Sequence, residues 1–470
     1  MAVKVGMVSL GCSKNQVDAE IMLAKLRKAG FQLCTDAGLC DVVIINTCGF
    51  IEDAKRESIE NILEFATLKK EGRIQCIVVT GCLAERYQME VAKEIPEADV
   101  ILGIGSNDQI VEAIRLALDK KEKVRRFGPK CDLPLNGDRV ISNLPFYAYL
   151  KIAEGCDNRC SYCAIPSIRG GYRSRTMEDI LEEARRLAEG GVKELVLVAQ
   201  DTTRYGIDLY GEYRLPQLLD QLCGLPFHWI RVLYLYPDKI TDELLDVMSR
   251  QEKIVSYLDI PIQHCSAAVL RRMNRRGDRQ QLLELIRHIR EKVEDVVLRT
   301  TLIAGFPGET SDEFEELMEF VKEARFERLG CFAFSPEEGT PAASMGDQVE
   351  DQVKRRRCDI IMEEQMGIAE SFNQSLTGRT LEVVCEGYDR YAGSYFGRSR
   401  YDAPDIDSKV FFSSKKKLRP GDFVPVVIED QMGYDLIGSV SGEGFQASES
   451  MGPMGVEVEL RQGQGEGKRK

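Results

Sequence analysis

Histidine is scarce: His228, His264 and His288 are the only three in 470 residues. That argues against histidine-rich metal centres and mixed Cys/His zinc sites. Tryptophan occurs once, and no apolar run nears the roughly 20 residues a membrane span needs. The opening Met-Ala-Val-Lys-Val-Gly lacks a signal-peptide pattern. The expectation is a soluble, cytoplasmic protein without a membrane partner. Basic excess is missing too: 63 Lys and Arg face 76 Asp and Glu, a net charge of −13. Polyphosphates favour basic surfaces, so the balance leans toward a basic protein or a small molecule as partner.

Cysteine is abundant, with fifteen residues. A reducing compartment keeps thiols free, which leaves metal ligation or redox chemistry. With so little histidine the ligands would be all sulfur, and that points to iron–sulfur clusters.

The length suggests about three domains. In residues 1–120, apolar runs at Val3–Leu10, Asp41–Thr47, Gln75–Thr80 and Val100–Ile104 alternate with helices such as Asp18–Ala29, Glu52–Leu68 and Gln109–Asp119. This predicts a parallel α/β domain. Residues 121–145 read as a linker, rich in turn residues from Pro129 to Pro145. In residues 146–374, six further strands near Ala148–Ala153, Leu195–Ala199, Ile230–Leu235, Leu258–Pro261, Val296–Ile303 and Cys331–Phe334 predict an open (β/α)6 barrel, followed by a helix from Asp351. Its site belongs at the strand C-termini. Residues 377–440 carry short alternating pieces (Leu381–Cys385, Lys409–Phe412, Phe423–Ile428) that read as a small all-β barrel. The Gly-, Glu- and Gln-rich tail 441–470 is expected to be disordered.

Cys156, Cys160 and Cys163 stand at C-x3-C-x2-C spacing directly after the first barrel strand. Such a loop can wrap three corners of a cubane and leave one iron open. Electron-transfer clusters take four cysteines, whereas an open position admits a substrate. A zinc knuckle would need a nearby fourth ligand, and no Cys or His follows before Cys223.

Cys12, Cys48 and Cys82 lie 36 and 34 residues apart, each just after a strand candidate. That spacing is about one βαβ unit, so all three thiols fall on one carboxyl edge of a parallel sheet. Helix N-termini there suit an anionic cluster, and Gly11, Gly49 and Gly81 allow tight turns beside it. The other nine cysteines read mostly as buried apolar residues.

The C-x3-C-x2-C loop, with Tyr162 before its last cysteine, resembles the signature of the radical S-adenosylmethionine superfamily. The resemblance implies that Cys156, Cys160 and Cys163 hold a four-iron cluster whose open iron chelates S-adenosylmethionine and splits it to a 5′-deoxyadenosyl radical. It places Tyr162 near the adenine. Other cofactor contacts would come from the ends of later strands: Gln200-Asp201, Pro261-Ile262-Gln263-His264 and Gly305-Phe306-Pro307-Gly308-Glu309-Thr310. Gln200, Gln263 and Gly305 are the candidates there. The Gly-Phe-Pro-Gly run fits an ordinary strand-to-helix turn equally well.

The three parts together, over roughly residues 3 to 440, resemble the methylthiotransferases, with a TRAM domain last. The resemblance implies two four-iron clusters, the first on Cys12, Cys48 and Cys82 supplying sulfur and carrying the methylthio group. It also implies a low-potential electron donor of the flavodoxin or ferredoxin type. Within the family, Ser9-Leu10-Gly11-Cys12-Ser13-Lys14-Asn15-Gln16-Val17-Asp18, Ala164-Ile165-Pro166-Ser167-Ile168-Arg169-Gly170 and Asp402-Ala403-Pro404-Asp405-Ile406-Asp407 resemble the RimO-type branch. That branch methylthiolates an aspartate β-carbon in protein twelve of the small ribosomal subunit. The other branch modifies adenosine in transfer RNA. Residues 377–440 carry nine Lys and Arg against ten Asp and Glu, which suits a basic protein target better than RNA. Neither cysteine set lies in this module, so deleting Thr377–Lys470 is expected to weaken substrate capture and spare cleavage of S-adenosylmethionine.

Overall fold

Apolar runs rich in Val and Ile build the first sheet. The computed structural model describes residues 2–441; the rest of the tail expected to be disordered, from residue 442, lies outside the described residues. Strands β1 (Lys4–Ser9), β2 (Gln32–Cys34), β3 (Val42–Thr47), β4 (Cys76–Gly81), β5 (Val100–Leu102) and β6 (Val124–Arg126) form an all-parallel sheet in the order β2-β1-β3-β4-β5-β6. Val43, Ile45, Ile77 and Val79 pack on one face, and Val42, Ile44 and Val78 on the other. Burial on both faces is why these strands read as unbroken apolar runs. The two edge strands escape a hydrophobicity reading because they are three residues long and half polar. β6 carries the sheet into the stretch expected as linker, where it pairs with β5.

The remainder of that linker is ordered by charge. Arg139 bonds Glu20 of the helix Ser13–Lys28 at 2.9 Å and Glu183 of the barrel helix Met177–Glu189 at 2.7 Å. All three side chains are buried, so the segment is a strap between two domains and not a loose tether.

The second sheet uses β7 (Tyr147–Lys151), β10 (Glu194–Val198), β11 (Trp229–Val232), β12 (Ile254–Asp259), β13 (Val297–Ala304) and β14 (Arg328–Ala333), all parallel, in the order β14-β13-β12-β11-β10-β7. Between β7 and β10, β8 (Ala153–Glu154) and β9 (Arg173–Ser174) pair antiparallel. This is the open six-stranded barrel. Its helices pack against Ala148, Leu150, Leu195, Leu197, Ile230 and Val232.

The opposite sheet face is not left to solvent. Strands β15 (Thr380–Asp389), β16 (Ser394–Ser399), β17 (Val410–Ser413), β18 (Phe423–Met432) and β19 (Asp435–Val440) close a five-stranded barrel. Its Leu381, Val383, Val410 and Phe412 share one core with Tyr147, Tyr149, Val196, Trp229 and Tyr257 of the larger sheet. Buried polar groups fix the contact: Arg398 to Glu194 at 2.7 Å, Arg328 to Asp402 at 2.8 Å, and the Tyr257 hydroxyl donating to Asp407 at 2.6 Å. Loss of this module therefore reaches further than substrate capture. The module completes the core of the central domain, a role the strand pattern of either part alone cannot reveal.

Among the described residues, no helix is long and apolar enough to cross a membrane.

Candidate functional site

Cys12, Cys48 and Cys82 follow β1, β3 and β4, which are neighbours in the sheet. The loops carrying them touch. Gly11 has φ +90°, and a Cβ there would stand 2.9 Å from Cys48 Cβ and 3.1 Å from its sulfur. Gly81 has φ +94°, and its Cβ would lie 2.5 Å from the Thr47 carbonyl oxygen. Both positions therefore exclude a side chain, for space as well as conformation. Ser58 hydroxyl bonds the amide and carbonyl of Cys48 at 3.0 Å each and fixes that loop.

The three thiols sense one another. Burial pushes Cys82 up to about 12; Arg169 opposes this, and repulsion from Cys12 and Cys48 adds to it. Burial likewise raises Cys48. At Cys12 desolvation of the sulfur also resists ionisation. There, however, the Lys14 and Arg169 cations, with the amides of Asn15 and Lys14, win and hold the thiol below its ordinary range.

The second set is held just as firmly. The Cys156 amide donates to the Gly170 carbonyl at 3.2 Å, and Ser161 is pinned by its amide to Met273 at 3.0 Å and by its hydroxyl to Arg272 at 2.7 Å. Asn158, inside the loop, donates to Asp201 at 2.8 Å. Burial pushes Cys156 up to about 11 and Cys163 to about 12. Arg275, buried, lies 3.8 Å from the Cys160 sulfur and donates to the Pro261 carbonyl at 2.7 Å.

Among the described residues, no three His, Cys, Asp or Glu close around a single metal ion. That does not conflict with a cubane, whose corners stand apart. Two all-thiol sets of three, each with mutually repelling sulfurs and a nearby guanidinium, fit polynuclear iron–sulfur chemistry.

The two sets meet across one helix turn. Cys82 packs in a small apolar cluster with Ala164 and Ile168, on the segment that follows Cys163. Beside it lies a buried network. Glu154, two residues before Cys156, bonds Lys151 at 2.7 Å, Arg169 at 3.0 Å and the Gln200 amide at 2.9 Å. Burial alone would raise the Glu154 carboxyl, but Arg169 and Lys151 hold it well below the carboxylate range. Lys151 also pairs with Asp18 of the first domain.

The other candidates separate into two groups. Gln200 sits in that network, its side-chain oxygen buried without a protein partner. Tyr162 meets Phe306 edge-on, with ring centroids 6.4 Å apart, which brings it to the Gly305 turn. Gly305 itself has φ +73°, its amide donates to Glu309 at 2.8 Å, and a Cβ would lie 2.3 Å from Lys354 Cγ. The packing of the helix Asp351–Leu376 accounts for this glycine. Gln263 adopts φ +73° and bridges to Leu302, a strained backbone for a non-glycine residue. His264 is fully buried, accepting from the Ser266 amide at 3.0 Å, and belongs to the turn's packing. Sequence reasoning missed Lys14, Glu154, Arg169, Tyr234 and Arg275, because their partners are remote in sequence. Lys14 and Arg169 lay inside quoted motifs without an assigned role.

Of the other nine cysteines, Cys40, Cys76, Cys223, Cys265, Cys358 and Cys385 are buried as expected. Cys131 is exposed, while Cys34 and Cys331 are half-buried.

Comparison with known proteins gives the family. Family models match in tandem: the Uncharacterized protein family UPF0004 over residues 4–103, the Radical SAM superfamily over 150–321 and the TRAM domain over 377–440. The radical S-adenosylmethionine methyltransferase TsrM from Kitasatospora setae, with cobalamin and a [4Fe-4S] cluster bound, shares the fold at TM-score 0.56 and 14% identity, over 73% of this chain and 77% of that one. Proteins named ribosomal protein uS12 methylthiotransferase RimO are far closer. That of Thermoanaerobacter sp. (strain X514) is 50% identical over 92% of this chain and 99% of its own length. That of Caldanaerobacter subterraneus is 51% identical over 92% and 99%, and that of Clostridioides difficile 48% over 93% and 98%. Identity of this order along all three domains leaves one conclusion: the chain belongs to the RimO family of radical S-adenosylmethionine methylthiotransferases.

Proposed function

We propose that this enzyme adds a methylthio group to the β-carbon of an aspartate in ribosomal protein uS12. In this reading Cys156, Cys160 and Cys163 hold one four-iron cluster, and Cys12, Cys48 and Cys82 a second. The observation that carries it is the contact of Cys82 with Ala164 and Ile168, beside Cys163, since two reacting centres have to share one cavity.

When bound, the clusters and S-adenosylmethionine supply the electron, the radical, the methyl group and the sulfur. The chain's own residues bind and orient. Tyr162, Gln200, Gln263 and Gly305 are the proposed cofactor contacts; the unpartnered Gln200 oxygen is the one free buried acceptor among them. Asp18 and Glu154 together neutralise Lys151 and Arg169, so this buried set of four between the cysteine sets carries no net charge. An unactivated C–H bond offers no acidic proton, and the chain provides no histidine to take one: His228 and His288 pair with Glu382 and Asp242 on the surface, and His264 is buried. Hydrogen-atom abstraction suits this site better than base catalysis. The electron donor is proposed to be a small low-potential flavodoxin or ferredoxin, and the setting the cytoplasm.

Mass spectrometry of small ribosomal subunits and bulk transfer RNA from cells lacking the gene tests the substrate. The expected result is loss of one methylthio mass from uS12 with transfer RNA nucleosides unchanged. Loss of a methylthiolated adenosine instead would assign the enzyme to transfer RNA.

A further inference from the structure

Arg169 is buried to 1% exposure in the wall between the two cysteine sets. Its guanidinium is divided between them. Nη2 lies 3.5 Å from the Cys82 sulfur and 3.2 Å from Asn15 Oδ1. Nη1 lies 2.9 Å from Asp18 Oδ2 and 3.0 Å from Glu154 Oε2. The other Glu154 oxygen accepts from the Gly155 amide at 3.1 Å, next to Cys156. One unbroken hydrogen-bonded chain therefore runs from Cys82 through Arg169 and Glu154 to the Gly155 amide, the residue before Cys156.

We infer that Arg169 is a positioning residue that sets the reduction potential of the centre held by Cys12, Cys48 and Cys82 while tying Cys82 to the loop of the other set. This rests on the reading that those three cysteines hold a cluster.

The charge arrangement favours this role over simple packing. Asp18 and Glu154 against Lys151 and Arg169 already make a neutral set of four buried charges. The Cys82 sulfur is thus an additional acceptor that the guanidinium does not need for its own neutralisation. Hydrogen bonds and positive charge at a ligand sulfur stabilise the more negative, reduced state of a cluster and so raise its potential. A planar fork is required because one nitrogen meets Cys82 and Asn15 while the other meets Asp18 and Glu154; lysine, a point charge on a flexible stem, cannot reach both pairs.

The test uses the full chain with Cys156, Cys160 and Cys163 changed to Ala, reconstituted anaerobically so that only the N-terminal set can load. Iron content is measured, and the midpoint potential is followed by electron paramagnetic resonance, in this background and with Arg169→Gln or Arg169→Lys added. The expected result is retained iron with a lower midpoint in both variants, the fall being smaller for Arg169→Lys, which keeps the charge but loses the fork. A loaded cluster with an unchanged midpoint overturns the inference. Should Arg169→Gln not fold, Arg169→Lys decides by the same criterion. If the parent binds no iron at Cys12, Cys48 and Cys82, the underlying reading falls and this inference with it; a bound cluster indifferent to Arg169 overturns this inference alone.

Discussion

The Lys14 ammonium stands 3.4 Å from the centroid of the Tyr234 ring. Lys14 lies two residues past Cys12, and Tyr234 lies two residues beyond β11 with φ +63°. The carboxyl edge of the first sheet is thus clamped onto the mouth of the second at a strained residue, where strain concentrates in functional regions. A desolvated cation–π contact contributes about 2 kcal/mol. Tyr234→Leu keeps the apolar bulk and removes the ring's charge distribution. It should loosen the first domain by about 1–2 kcal/mol, read as faster limited proteolysis near the strap at Arg139.

Iron should divide between the cysteine sets. Changing Cys156, Cys160 and Cys163 to Ala should remove about half the iron and all cleavage of S-adenosylmethionine, because the open iron sits there in this reading. Changing Cys12, Cys48 and Cys82 should remove the other half while reductive cleavage continues. Full iron in the second triple variant would rule out the N-terminal site.

Isotope transfer follows from hydrogen-atom abstraction at an unactivated carbon. A uS12 substrate deuterated at the aspartate β-carbon should pass deuterium into 5′-deoxyadenosine, with methionine and S-adenosylhomocysteine both accumulating as products of two S-adenosylmethionine molecules per turnover. Methylthiolated product beside deuterium-free 5′-deoxyadenosine would exclude this abstraction.

Removing the C-terminal barrel should cost more than substrate capture. A chain ending at Leu376 exposes Tyr147, Tyr149, Val196, Trp229 and Tyr257, and strands Glu194 and Arg328 without Arg398 and Asp402. Each large apolar side chain left uncovered forfeits about 1.5–3 kcal/mol of burial, and several together match the whole stability margin of many domains. Such a chain should aggregate or melt well below the intact protein in thermal unfolding. An unchanged melting temperature would contradict the shared core.

Stability should fall on mild acidification partly through His264. Burial, with Arg272 and Arg357 nearby, lowers this imidazole to about 3 in the folded chain, whereas an unfolded histidine titrates near 6.5. Between those values the unfolded state binds the extra proton, so stability is complete above about pH 6.5 and declines as pH drops toward 3, by about 1.4 kcal/mol per pH unit at the steepest. Comparing urea midpoints at pH 7 and 5.5, His264→Gln should show a shallower loss than the parent. Equal losses in both would remove His264 as the cause.

How much of this was readable in the chain depends on distance along it. The loop from Cys156 to Cys163 is local, so its three cysteines stand out by spacing alone. Cys12, Cys48 and Cys82 are far apart, yet repeating βαβ units carry phase, and adjacent β1, β3 and β4 bring the thiols to one edge as that phase requires. Hydrophobic runs likewise announced both parallel sheets, because burial on two faces leaves a signature in every strand residue. The edge strands Gln32–Cys34 and Val124–Arg126 left none, being short and half polar.

Only the tertiary structure decided which charges meet. Nothing in the sequence pairs Arg169 with Cys82, Lys14 with Tyr234, or Glu194 with Arg398. These partners lie from 87 to 220 residues apart, and a single charged residue carries no periodicity that could point to its counterpart. Buried ion pairs are chosen by the packing of finished domains, where desolvation makes an unpaired charge intolerable. For the same reason the strand pattern of residues 377–440 showed a small barrel but not that its inner residues complete the core of its neighbour.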